Sequence, residues 1–150
     1  MTSAGNRILI IDNDAHFADG VASFLTARQF TVFRAETGRE GVELAQAERP
    51  DLILMDIVMD ERTEGFSAIQ EIRRTEGLKG VPIFILSSNC VNLPDFETPG
   101  GTWLAHDLFL QKPLRLTQLL DKIRSTLARL DEDARAGSHG FASTAAVYKG

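Results

Sequence analysis

Cysteine is almost missing from this chain: among 150 residues, Cys90 stands alone. A single thiol excludes a disulfide framework and a cysteine-based zinc site, and it fits a reducing compartment, so a cytoplasmic protein is expected. Long apolar runs are missing as well. The opening "MTSAGNR" has no apolar stretch of the kind that directs secretion, and no run elsewhere reaches the roughly 20 residues needed to cross a bilayer. There is no excess of positive charge either. A net charge of -5 and a pI near 5.2 argue against binding to a nucleic-acid backbone or an anionic membrane, which leaves proteins or small ligands as partners. His16, His106 and His139 show no metal-ligand spacing. What remains is ordinary globular composition, 43% apolar and 25% charged, for one domain with a real core.

Apolar runs of strand length alternate with segments of helical period. "RILII" (7–11) reads as a strand, and Phe17, Val21, Phe24, Leu25 and Arg28 then recur at helical spacing. "FTVFRA" (30–35) alternates like a strand, and "TGRE" (37–40) is a capping box that opens a helix to about Ala47. "DLILM" (51–55) is continuously apolar, as a strand covered on both faces must be, and Phe66, Ile69, Ile72 and Arg73 trace the next helix. "VPIFIL" (81–86) and "DLFLQ" (107–111) are further strands. After Pro113, Leu116, Leu119, Leu120, Ile123, Leu127 and Leu130 form an amphipathic helix that must dock on the sheet. Strand and helix alternating five times predict an α/β fold with a parallel sheet and helices on both faces, because parallel neighbours need crossover connections. Between Ser88 and Ala105, Pro94, Pro99, Gly100 and Gly101 discourage a long helix, so the fourth crossover is expected to be short or irregular. Residues 131–150, rich in Gly, Ser and Ala, are expected to form a disordered tail.

Ligands of such sheets bind beyond the carboxyl ends of the strands. Four of these ends carry polar chemistry: "DND" (12–14) after the first strand, Asp56 after the third, Ser87 after the fourth and Lys112 after the fifth. Carboxylates gathered at one edge repel unless a cation lies between them, and magnesium is the hard, oxygen-preferring ion that takes one or two carboxylates together with waters and phosphate oxygens. With a hydroxyl and an ammonium added, these are the parts of a phosphoryl-transfer site. Each residue also has a plainer reading: Asp12 as a helix N-cap, Asp56 as a turn former, Ser87 and Lys112 as loop residues, Phe109 as core filling.

In the order "ILIIDND", "DLILMDIVM" with Gly65 downstream, "PIFILSS" and "LFLQKP", the chain resembles the receiver domain of two-component response regulators, over a domain of residues 5–130. That resemblance implies a flavodoxin-like, doubly wound, five-stranded parallel sheet of order 2-1-3-4-5. It implies Asp56 as phosphoacceptor and Mg2+ held by Asp12, Asn13, Asp56 and the carbonyl of Val58. It also implies Ser87 and Lys112 on the phosphoryl group, and a switch made of Ser87 and Phe109. The implied function is that of a stand-alone receiver. It would take its phosphoryl group from a histidine kinase or phosphotransfer protein, signal to a downstream protein by contact, touch neither nucleic acid nor membrane directly, and catalyse nothing beyond its own phosphorylation and dephosphorylation. A homodimer through the fourth and fifth crossovers could form.

Departures from the family pattern bear on this expectation. Asn13 stands where receivers usually carry a second metal-binding acid, so one formal charge is lost, and Asp14 or Asp60 could supply it. The segments 56–65 and 87–112 are longer than is typical. A pseudo-receiver, signalling through the same fold without phosphorylation, is the alternative these departures allow. A third reading takes "IDNDA" as the D-x-D start of a haloacid-dehalogenase-like phosphatase, with Asp12 as nucleophile and Asp14 as general acid; it leaves Asp56 unexplained and lacks a late acidic motif at a strand end.

Overall fold

Ile8 to Ile11, Leu52 to Met55 and Ile83 to Leu86 are wholly buried runs, and they form the middle of a single parallel sheet. The computed structural model describes residues 6–56, 62–87, 108–111, 115–136 and 146–148. In chain order the elements are β1 (Arg7–Ile11), α1 (Ala15–Thr26), β2 (Thr31–Ala35), α2 (Gly38–Glu48), β3 (Leu52–Asp56), α3 (Arg62–Arg74), β4 (Ile83–Ser87), β5 (Leu108–Gln111), α4 (Leu116–Ala136) and β6 (Ala146–Tyr148). The strand order is β2-β1-β3-β4-β5-β6, and every adjacent pair is parallel.

Residues alternate between the two faces of each strand, and the core divides accordingly. Leu9, Ile11, Ile53, Met55, Ile83 and Ile85 pack with Ala45 of α2 and with Ala68, Ile69 and Ile72 of α3. Ile8, Ile10, Leu52, Leu54, Phe84 and Leu86 pack with Ala18, Val21 and Leu25 of α1 and with Leu119, Leu120 and Ile123 of α4. Both faces are covered, which is why the central strands read as unbroken apolar runs. The N-cap half of the capping box forms at α2, with the Glu40 amide donating to Thr37 Oγ1 at 3.1 Å, while Glu40 Oε1 accepts the amide of Glu36, one residue before the cap, at 3.0 Å.

Two expectations are corrected. The sheet has six strands rather than five, because Ala146–Tyr148 adds to the outer edge of β5. The stretch expected to be a disordered tail is therefore partly structured: α4 continues past residue 130 to Ala136, and β6 follows. Its weak apolar pattern hid this, since an edge strand of three residues needs ladder hydrogen bonds rather than a buried face. The crossover between β4 and β5, expected to be short or irregular, lies outside the described residues.

Candidate functional site

The site begins where β1 ends. Beyond Ile11, the Asp12 amide continues the ladder by donating to the Ala35 carbonyl at 2.9 Å. The Asp12 carboxylate then turns the chain, its Oδ1 accepting the Asp14 amide at 2.8 Å. Asp14 is the N-cap of α1, with extended φ and ψ of -88° and 99°, and its Oδ1 accepts the Phe17 amide at 3.2 Å. The plainer reading of Asp12 as that N-cap is thus corrected: its short side chain forms the turn one step earlier, and Asp14 caps the helix. Asp14 is exposed and already engaged with the helix terminus, a poor disposition for the general acid of a phosphatase.

Asp56 is the last residue of β3 rather than the first after it, and it pairs with Leu86. Ile11 pairs with Met55, so Asp12 and Asp56 lie opposite each other one step further along strands spaced about 4.8 Å apart. Pleat alternation sends the Asp56 side chain to the face of Leu52 and Leu54, beneath α1. Both acids are deeply buried, Asp12 at 2% exposure and Asp56 at 4%. Ser87 closes β4, its backbone paired with Gln111 at the end of β5, so the strand tips that precede and carry these positions are neighbours. Phe109 pairs with Ile85 along the same ladder. Asn13 is exposed beside Asp12. Val58, Asp60 and Lys112 lie outside the described residues.

Two buried carboxylates on adjacent strands, with an amide oxygen next to them, form a hard-oxygen donor set that suits a cation able to keep several waters. The donor set therefore fits magnesium, with Asp12 and Asp56 supplying its charge. The same residues also show what sequence reasoning missed. The capping role of Asp14 was signalled by Phe17 three positions on, where the first apolar residue of the helix would carry the capped amide.

The family described as the response regulator receiver domain matches residues 8–124. The chain belongs to that family. PilH of Pseudomonas aeruginosa is 34% identical over 125 residues, covering 81% of this chain and 98% of PilH. RpaA of Synechocystis, a DNA-binding transcriptional regulator, is 32% identical over 133 residues, or 89% of this chain and 54% of RpaA. The chain thus spans little more than half the length of several relatives it matches. Among solved structures, the receiver domain of the sensor histidine kinase PA1611 from Pseudomonas aeruginosa, with magnesium coordinated in its active-site cleft, aligns with a TM-score of 0.71 at 27% identity over 83% of this chain and 99% of that one. The chemotaxis protein CheY4 of Vibrio cholerae, at 24% identity and a TM-score of 0.72, shares the fold over 82% of this chain and 99% of its own. No helix among the described residues is long and apolar enough to cross a membrane.

Proposed function

We propose that this chain is a phosphoacceptor switch of a cytoplasmic two-component pathway, with Asp56 as the modified residue. The observation that carries the reading is the placement of Asp12 and Asp56, both buried, side by side at the carboxyl edge of a parallel sheet. An Asp56 oxygen attacks the phosphorus of a phosphohistidine on a partner histidine kinase or phosphotransfer protein; the P–N bond breaks, and the imidazole leaves. Asp12, Asp56, Asn13 and the Val58 carbonyl would hold Mg2+, which offsets the charge of the acids and of the incoming phosphoryl oxygens. The Asx turn fixes the Asp12 carboxylate against the start of α1, so that it is aimed before any ion arrives. Ser87 and Lys112 would bind the new oxygens. Modification replaces the Asp56 carboxylate with a phosphoryl group carrying roughly two negative charges, a net gain of about one beside Asp12, and drawing Ser87 and Lys112 toward it shifts β4 and β5, with Phe109 in the second of these strands. The output is contact with a downstream protein, and the chain's own chemistry is confined to gaining and losing this group.

Incubation with a small-molecule phosphodonor and magnesium, followed by intact-mass measurement, tests the reading. The mass is expected to rise by one phosphoryl group in the natural chain and not in Asp56→Asn. Absence of a gain with every donor tried would overturn the reading in favour of a pseudo-receiver, which the exposed amide at Asn13 favours.

A further inference from the structure

The family match ends at residue 124, yet the chain continues through α4 into a sixth strand. β6 pairs with β5 through Leu108↔Ala146, Phe109↔Val147 and Leu110↔Tyr148. Without it, β5 would be an edge strand with a row of open backbone donors and acceptors, a ready template for another extended segment. β6 therefore closes an edge that the family's own elements leave open.

The register links this closure to the site. Asp56 pairs with Leu86, Leu86 with Leu110, and Leu110 with Tyr148, so one row of the sheet runs from the phosphoacceptor to β6. β5 is the strand between them, and Lys112 follows its last residue, Gln111. β6 is also weakly held. It is three residues long, paired on one side only among the described residues, and joined to α4 by the nine residues 137–145, so the chain loses little by letting it go.

We propose that Ala146–Tyr148 is a releasable strap, shutting the edge of β5 while Asp56 is unmodified and leaving it once Asp56 carries a phosphoryl group; this rests on the phosphoacceptor reading above. A phosphoryl group on Asp56 draws Lys112, and with it the tip of β5, toward β3. β6 lies on the opposite side of β5, so that movement opens the β5–β6 ladder. A ladder this short cannot follow by stretching, because hydrogen bonds weaken steeply with distance and angle. By linkage the effect is reciprocal: freeing β6 favours the state that binds the anion.

Amide hydrogen exchange on the full chain, read by mass spectrometry with the intact mass recorded on the same sample, tests this. In the unmodified protein residues 146–148 are expected to be protected. In the fraction that has gained a phosphoryl group their exchange is expected to accelerate about tenfold, within the range typical of coupled sites. A double variant, Val147→Pro with Tyr148→Pro, removes the backbone donor at whichever of the two faces β5. It is expected to expose residues 108–111 to exchange and to tighten binding of beryllofluoride, a noncovalent phosphoryl mimic, by a similar factor. A mass gain with unchanged protection at 146–148 would overturn the coupling and leave the phosphoacceptor reading standing. No mass gain would overturn both. Exchange at 146–148 as fast as in the isolated peptide, before any treatment, would overturn the strap itself.

Discussion

Two aspartates bracket β3, Asp51 just before it and Asp56 at its end, and the same side chain meets opposite circumstances. Asp51 is exposed at the amino edge, where its Oδ2 accepts the Arg7 amide at 2.8 Å while its own amide donates to the Arg7 carbonyl at 2.7 Å. Beside it, Arg7 pairs with Glu48 at 2.9 Å, both side chains being more than a third exposed. Asp56 is buried at the carboxyl edge, opposite another buried acid. The amino edge uses its charges to tie β1 to the start of β3 through Asp51 and to the end of α2 through Glu48. The carboxyl edge instead buries two acids side by side, the placement on which the proposed phosphoacceptor role rests.

The largest difference between the two ends should appear on adding magnesium. If Asp12 and Asp56 hold the ion, the natural chain gains about 2.7 kcal/mol of stability at a hundred times the dissociation constant, visible as a rise in Tm. Asp12→Asn keeps the acceptor for the Asp14 amide and so preserves the turn, but it removes one of the two charges. Most of the magnesium-dependent rise is expected to vanish in that variant and to survive in Asp51→Asn. An equal response in all three proteins would mean that the ion binds elsewhere.

Packing beneath the site gives the next effect. A Cβ on Gly41 would lie 2.3 Å from Ile11 Cδ1 and 2.6 Å from its Cγ1, and Ile11 is wholly buried directly before Asp12. Gly41→Ala therefore sets an overpacking penalty of about 1–3 kcal/mol against a helix-propensity gain of about 1 kcal/mol, and a net loss is expected in chemical denaturation. Gly20 in α1 is the control, being exposed with no atom within 4 Å of the place an added methyl would take. There the propensity term acts alone, and Gly20→Ala is expected to stabilise by about 0.5–1 kcal/mol.

How much of this was legible beforehand depended on whether the cause was local. The central strands were, because burial on both faces turns Ile8–Ile11, Leu52–Met55 and Ile83–Leu86 into unbroken apolar runs that no loop would carry. Asp12 and Asp56 were legible for the same reason, as acids ending such runs. The strand ends themselves were misplaced by a residue at Asp56 and Ser87, since pairing with Leu86 and Gln111 rather than side-chain polarity decides where a ladder stops. Asp12 and Asp14 are chemically identical, and only the backbone path between β1 and α1 assigns one to the turn and the other to the cap. β6 was hidden because three residues carry no periodicity, and their partner, β5, lies more than thirty positions away.

The smallest expected effect returns to Asp51. Its carboxylate makes one hydrogen bond to a neighbouring strand in full contact with water, and water can replace most of that bond when the side chain is cut back. Its charge lies near the Arg7–Glu48 pair, but exposed ion pairs contribute at most about 1 kcal/mol and weaken with salt. Asp51→Ala is thus expected to lower stability by no more than about 1 kcal/mol, by less at high ionic strength, and to leave phosphorylation of Asp56 unchanged. Denaturation curves at two salt concentrations, with the intact-mass assay run on the same variant, provide the check. A loss of phosphorylation in Asp51→Ala would show that the amino edge of β3 reaches the site through the strand, and the separation of structural and chemical aspartates along this one element would fall.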